Sequence, residues 1–344
     1  MRYIRQMNYR QLGKSGIFVT DLCLGTMIFG ETEGRGTPAK EASAMIRAYI
    51  DAGGNHVDTA NVYAGGESER ITGKAIKADR ADIILASKVN FPTLKGINNF
   101  GLSRRNIINS VHDSLGRLDT DYIDLLYVHC WDQYTPLEES LRALDDLVTA
   151  GKVRYIGVSN FKAWQLMKGL AMSDSNLWSR FIAAQYQYSL VKRDVEYEFS
   201  DLLLSENVGM VPWGPLGGGF LSGKYKKDQR PEDFGDGRIG GTPDGNEESW
   251  ERRNTERNWQ IIEAVGQVAE ELDATYSQVA LAWLLAQSTV ASVIIGVRTM
   301  EQLTDNIGAS ALKLSVSHLE LLNQASELPE LYPYRMIQAY GRKV

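Results

Sequence analysis

A chain of 344 residues, 43% hydrophobic and 23% charged, can bury a large core, and its length is compatible with a single domain. A formal net charge of −6 favours solubility and argues against nucleic acid as a partner. With only Cys23 and Cys130 present, neither a disulfide framework nor a cysteine-rich metal site has support, and no metal is expected.

Met1-Arg2-Tyr3-Ile4-Arg5-Gln6 is basic, but no signal-peptide apolar core follows it and no run reaches transmembrane length. A cytoplasmic protein with no membrane partner is therefore expected, with residues 1–6 as an extension and Met7 as a candidate start. Tyr9-Arg10-Gln11-Leu12 and Ile17-Phe18-Val19-Thr20 flank Gly13-Lys14-Ser15-Gly16 and read as a short β-hairpin. From there, short apolar runs alternate with amphipathic helices, the pattern of parallel βα units. Strands are expected near 22–25, 55–58, 82–87, 123–129, 153–158, 181–185, 208–212 and 292–295. Eight such units predict an α/β fold, a (β/α)8 TIM barrel, with the hairpin as a plug over its N-terminal mouth.

The intervening helices carry their own signals. The first runs over 39–52 and stops at Gly53-Gly54; another starts after Ser103, an N-cap type, and ends near Gly116. After Pro136, Leu137, Leu141, Leu144, Leu147 and Val148 recur at helical spacing before Gly151, a face turned toward the barrel. Residues 214–255 break the rhythm with ten glycines before Asn246 and no sustained period, so they read as a long loop after strand 7. A loop that long in a barrel opens onto the C-terminal face and suits a lid. The tail after Leu328, with Leu331-Tyr332-Pro333-Tyr334, either drapes over that mouth or lies along the barrel side. One domain over 7–328 with a tail of 329–344 is the expected organisation.

The stretch on which the chemistry turns is Asn55-His56-Val57-Asp58-Thr59-Ala60-Asn61-Val62-Tyr63, a buried strand ending in a carboxylate with a tyrosine five residues on. A phenol with its ordinary pKa of about 10 is a poor acid near neutrality and gains from a neighbouring cation. Lys88, ending the run Asp82-Ile83-Ile84-Leu85-Ala86-Ser87-Lys88, can supply it. Asp58 would hold Lys88 charged, and the Tyr63 pKa would fall. His129 ends the run Ile123-Asp124-Leu125-Leu126-Tyr127-Val128-His129. Singly these residues also suit a helix N-cap, a packing tyrosine and a core histidine. Together they favour a site, because successive strands each ending in a titratable group meet at the catalytic face of a parallel barrel.

From about Tyr9 to Ala309 the chain resembles the aldo-keto reductase family. Gly-Gly-Asn-His-Val-Asp-Thr-Ala-Asn-Val-Tyr is similar to its first signature, Ile-Gly-Val-Ser-Asn at 156–160 to its second, and Ile-Ile-Gly-Val-Arg at 294–298 to its third. The resemblance implies a catalytic tetrad of Asp58, Tyr63, Lys88 and His129, and a nicotinamide cofactor across the C-terminal face. It implies that Tyr63 exchanges the proton while His129 orients the carbonyl oxygen. Ser159, Asn160 and Gln185 match positions that bond the nicotinamide carboxamide, although Ser159-Asn160 also suits a helix N-cap before Phe161. Trp213 matches an aromatic ring laid against the nicotinamide, and Thr26 and Met27 fall beside it.

The run Trp213-Gly214-Pro215-Leu216-Gly217-Gly218-Gly219-Phe220-Leu221-Ser222-Gly223-Lys224 resembles the family's pyrophosphate loop, with backbone N–H groups and Lys224 meeting the anion. Gly296, Arg298, Gln302 and Asn306 complete the cofactor set. Gln302 and Asn306 share a helix face that can meet an adenine edge, and Arg298 before that helix suits a 2′-phosphate. NADP(H) is thus expected over NAD(H). Met27, Phe29, Tyr63, His129 and Trp131 would line a substrate pocket that suggests sugar-like, terpenoid, aryl or quinone carbonyls.

Trp213 and the Trp-Gly-Pro-Leu run resemble the branch holding potassium-channel β subunits and nearby bacterial reductases. Some members of that branch are regulatory NADP(H)-binding proteins that lack the tetrad histidine. Retention of His129 favours an NADP(H)-dependent carbonyl reductase or alcohol dehydrogenase over a cofactor-sensing subunit. A hydrolase or lyase using Asp58 and Glu67 is the third reading, and no sequence feature sets an oligomeric state.

Overall fold

The computed structural model describes residues 7–31, 34, 36–232 and 237–341, so the expected 1–6 extension lies outside the described residues. In chain order come β1 (Tyr9–Gln11), β2 (Phe18–Thr20), β3 (Leu22–Gly25), α1 (Ala39–Asp51), β4 (His56–Asp58), α2 (Glu67–Ile76), β5 (Ile84–Val89) and α3 (Arg104–Leu118). There follow β6 (Ile123–Val128), α4 (Leu137–Thr149), β7 (Val153–Ser159), α5 (Ala163–Asn176), β8 (Phe181–Gln185), α6 (Phe199–Glu206) and β9 (Gly209–Met210). The chain continues with α7 (Trp250–Arg253), α8 (Glu256–Leu272), α9 (Tyr276–Leu285), β10 (Val293–Gly296), α10 (Met300–Gly308), α11 (Val316–Ala325) and α12 (Tyr334–Tyr340).

β3 to β10 form one parallel eight-stranded sheet in the order β10-β3-β4-β5-β6-β7-β8-β9. It closes where Ala291 N donates to Met210 O at 2.8 Å and Ile294 N to Pro212 O at 2.9 Å. This is the (β/α)8 barrel that the alternation predicts. β9 is shorter than the expected 208–212, and individual hydrogen bonds rather than a ladder carry that seam.

Successive strand residues point to opposite faces, and the core divides accordingly. Leu24, Val57, Leu126 and Val128 join the layer between sheet and helices, while Cys23, Ala86, Leu125 and Tyr127 fill the barrel interior. The same parity turns Asp58 and Lys88 inward and Ser87 outward. On α4, Leu137, Leu141, Leu144 and Leu147 are buried, as their period requires. Ser103 caps α3, accepting from Asn106 N at 3.3 Å. That helix runs past Gly116 because Leu115 and Leu118 are buried on its last turn, and it ends at Asp119 with φ 51°.

The hairpin plugs the lower mouth. Leu12 and Val19 are fully buried among the interior side chains. Gly13, at φ +55°, passes so close to the barrel that a Cβ there would lie 2.2 Å from the Ile182 carbonyl oxygen. Lys14 N donates to Asn207 O at 2.7 Å and ties the turn to the strand bottoms.

Residues 214–255 are less featureless than their composition suggests, containing a 3-10 turn (Phe220–Ser222) and α7. Phe220 meets Trp259 at 4.9 Å and Trp250 meets Trp259 at 6.3 Å, so an aromatic cluster anchors the segment. The described part of the tail packs on a βα connection, on the side of the C-terminal mouth rather than along the barrel side. Tyr334 stacks on Tyr197 at 5.1 Å and donates to Glu198 Oε1 at 2.9 Å, beside the β8–α6 connection. No described helix is long and apolar enough to cross a membrane.

His56 faces the seam with its Nδ1 3.1 Å from Ser292 Oγ, and its Nε2 has no partner among the described residues. Burial disfavours the imidazolium, and the nearby Lys88 charge adds to this, lowering its pKa to about 3. The folded pKa thus lies below the ordinary value of about 6.5. Its contribution to stability is complete above about pH 6.5 and is lost as pH falls toward 3, on the order of 5 kcal/mol in all. His56→Gln should therefore flatten the acid limb of a stability-versus-pH curve from urea unfolding. An unchanged slope between pH 6.5 and 3 would refute this.

Candidate active site

Strand ends deliver the central group. Lys88 at the end of β5 is fully buried, and Nζ donates to Asp58 Oδ2 at 2.5 Å, to the Thr59 carbonyl oxygen at 2.8 Å and to Tyr63 Oη at 3.0 Å. An ammonium has three protons and no acceptor, so all three are committed and the Tyr63 oxygen is the acceptor. The phenol's own proton is left to point elsewhere, and Tyr63 borders a cavity of about 490 Å³. Asp58 is gripped from its other side by Gln185 Nε2, which donates to Oδ1 at 2.8 Å.

The expected fall in the Tyr63 pKa is corrected by the structure. Burial raises it, and the charge of Lys88, which lowers it, does not overcome that penalty. The phenol is therefore neutral near pH 7. For Lys88 the balance runs the other way: burial alone would lower its pKa, but Asp58 and Tyr63 raise it, so the ammonium is retained. His129 lies with its ring 6.0 Å from that of Tyr63, edge to face, and 4.9 Å from Phe91. Burial and the Lys88 charge hold its pKa well below the usual value, making it a neutral imidazole. Its Nδ1 has no partner among the described residues.

Asp58, Tyr63, His129, Ser159, Asn160 and Gln185 border one end of the cavity, with Met27 and Trp213 beside them. Gly214, Pro215, Leu216, Gly218 and Lys224 also line it, as do Gly296, Arg298, Gln302 and Asn306. Several of these side chains are already engaged. Ser159 Oγ donates to the Gln185 carbonyl oxygen at 2.7 Å, and Asn160 Nδ2 to the His129 carbonyl oxygen at 2.8 Å, fixing the strand that carries His129. The capping alternative for Ser159-Asn160 fails, since α5 begins at Ala163 with Lys162 as its N-cap. Gln302 Oε1 accepts from Arg298 N at 2.8 Å, and Thr299 caps α10.

Three expected lining residues are elsewhere. Thr26 Oγ1 donates to the Asp58 carbonyl oxygen at 3.1 Å and lies 2.7 Å from Ser68 Oγ, so it is fully buried beneath the site. Phe29 is wholly buried in the layer between sheet and helices. Trp131 stands edge-on to Phe161 at 4.9 Å, outside the cavity lining. In each case the loop after the strand turns the side chain into a packing layer, which spacing alone does not reveal. Conversely, Arg238 and Glu248 border the cavity, paired at 2.5 Å. They come from the glycine-rich segment, where one cation among scattered charges has no periodic context to distinguish it.

A family model described as the aldo/keto reductase family matches residues 21–327. The chain is 34% identical to an aldo-keto reductase of Alternaria alternata, AMT2, over 89% of this chain and 88% of that one. It is 34% identical to the oxidoreductase YrpG of Bacillus subtilis over 95% of this chain and all of that one. It is also 34% identical to a probable voltage-gated potassium channel subunit beta of Arabidopsis thaliana, over 88% and 91% of the two chains. With a match this long and a barrel whose strand ends assemble Asp58, Tyr63, Lys88 and His129, the chain belongs to the aldo/keto reductase family, oxidoreductases that act on carbonyl groups.

Proposed function

We propose that this protein interconverts carbonyl and alcohol groups with NADP(H), Tyr63 giving the proton in reduction and taking it in oxidation. The observation that carries this reading is the three-way commitment of Lys88, which leaves the Tyr63 proton available at the cavity edge. The cavity suits a dinucleotide. Its wall contains Gly214, Gly218 and Gly219 at φ +65°, +75° and +90°, where L side chains are disfavoured and none shields the backbone, although Gly219 N already donates to Leu216 O at 3.0 Å. Lys224 and Arg298 border the same cavity and can meet phosphate charge, while Arg238 beside them is paired with Glu248.

When bound, the reduced nicotinamide supplies hydride to a carbonyl carbon, leaving developing charge on the carbonyl oxygen. Tyr63 delivers its proton to that oxygen. Because Lys88 already bonds the phenol oxygen, the charge formed there meets a cation without any rearrangement, which favours the transition state over the ground state. Asp58 keeps Lys88 protonated and Gln185 keeps Asp58 aimed at it. His129, uncharged, donates to the carbonyl oxygen and orients it. Ser159, Asn160 and Gln185 would hold the nicotinamide carboxamide, and Trp213 would offer its ring a flat apolar face. Glu67, the second carboxylate of a hydrolase reading, is exposed and outside the cavity lining.

The test is NADPH oxidation with a panel of aldehydes and ketones. Saturable binding with no turnover on any carbonyl would instead support a regulatory subunit. Arg298 carries the NADP(H) preference. Arg298→Ala should weaken NADPH binding by about 10- to 100-fold, the loss of one charge-assisted contact, while NADH changes little. Quenching of Trp213 fluorescence on titration reads both affinities. Equal losses for the two cofactors would remove the assignment.

A further inference from the structure

We propose that Glu69 is a positioning residue for this reaction: its buried carboxylate, outside the barrel, holds the turn that carries Tyr63 in register with Lys88. The proposal rests on the carbonyl-reductase reading only for the kinetic part of its test. Glu69 lies in the first turn of α2, is fully buried, and touches nothing in the cavity. Both of its oxygens are used. Oε2 accepts from Arg117 Nε of α3 at 2.6 Å, and Oε1 accepts from Ser87 Oγ at 2.6 Å.

Ser87 and Lys88 are consecutive in β5 and point to opposite faces. The serine reaches outward to the helix that follows Tyr63, and the lysine reaches inward to Tyr63 itself. One carboxylate thus ties together, from behind, the two chain segments whose side chains must meet in front. The neighbouring Ser68 continues the anchoring. Its Oγ donates to the Thr26 carbonyl oxygen at 2.8 Å and lies 3.0 Å from Thr59 Oγ1, so the first turn of α2 is fastened to the ends of β3 and β4 as well.

The connection between Tyr63 and α2 needs such fastening. Ala64, Gly65 and Gly66 have φ of 47°, 62° and 94°; the glycines take this backbone readily, but Ala64, a non-glycine, holds it only where its surroundings dictate it. Arg117 provides part of that constraint: a Cβ on Gly66 would lie 2.7 Å from Arg117 Cδ. Without the Glu69 charge, Arg117 keeps its Nη2 bond to Ser114 Oγ at 3.1 Å but loses its buried counter-ion, its hold beside Gly66 loosens, the turn relaxes, and the Tyr63 hydroxyl withdraws from Lys88. A purely stabilising ion pair would lower Tm and leave the chemistry alone.

Three variants of the full chain separate these roles: Glu69→Gln, Arg117→Lys as the conservative change, and Ser87→Ala as the mildest. Two readouts are used. One is steady-state kinetics with NADPH and a small aldehyde; the other is the ¹³Cζ-tyrosine NMR resonance of Tyr63 in cofactor-free protein, assigned with Tyr63→Phe. Glu69→Gln is expected to lower kcat by about tenfold or more with both KM values within about twofold, as misplacement of a reacting group does. Its Tyr63 resonance should move toward that of a tyrosine without the lysine bond, and Arg117→Lys should retain most of kcat. If Glu69→Gln does not fold, Ser87→Ala decides by the same two criteria. Unchanged kcat and resonance, whatever happens to Tm, overturn the proposal, as does a kcat loss matched by an equal loss of NADPH affinity. A wild-type protein that reduces no carbonyl defeats the functional reading alone, and the NMR comparison still decides the role of Glu69.

Discussion

Tyr63→Phe should lower kcat for carbonyl reduction by about 10²- to 10⁴-fold, the usual contribution of a positioned general acid, with NADPH affinity nearly unchanged. The phenylalanine keeps the ring that faces His129 edge-on at 6.0 Å, so the wall of the site survives. What disappears is the proton and one acceptor for the buried Lys88 ammonium, a structural cost of about 1.5–3 kcal/mol. The pH dependence follows from the sign of the shift. Burial raises the Tyr63 pKa above its usual value of 10.0. The protonated form needed for reduction therefore persists through neutrality and is lost only as pH rises through that raised value. The wild-type kcat for reduction should be flat around pH 7 and fall on the alkaline side, and the residual rate of Tyr63→Phe should lack that limb. A variant retaining more than about a tenth of wild-type kcat would remove Tyr63 from the acid role.

Lys88→Met should abolish the reaction and also unsettle the fold. The variant leaves the Asp58 carboxylate, 3% exposed, with Gln185 as its remaining side-chain partner. Removing one member of a buried ion pair costs about 3–5 kcal/mol, because the other charge is left uncompensated. Removing both charges is far milder. The double variant Asp58→Asn with Lys88→Met should regain most of the lost stability while remaining inactive. Urea unfolding of the two singles and the double measures the coupling. Wild-type stability in Lys88→Met would mean that the pair is not desolvated as described.

The barrel was legible because its signals are local and repeated. Eight apolar runs separated by amphipathic helices permit few arrangements, and the observed strands begin and end within a few residues of those expected. The segment from Trp213 to Lys224 was legible for a related reason, since glycines at left-handed positions are demanded by backbone geometry. Phe29 and Trp131 were not legible as packing residues. Each follows a strand whose end faces the site, and the loop that rotates it away depends on contacts with α2 or α5 that no short stretch encodes.

The sequence by itself determined the strand periodicity, the placing of Asp58 and Lys88 at strand ends, and the glycines and cations that can meet an anion, all properties of neighbouring residues. The tertiary structure decided the ionisation of Tyr63 and the pairing of Arg238 with Glu248. It also directed Gln185 onto Asp58 and Glu69 onto Ser87 and Arg117. Desolvation and hydrogen bonding at a buried atom depend on every group that surrounds it in space. Those groups come from strands and helices far apart in the chain, so the sign of a pKa shift is settled only once the barrel has brought them together.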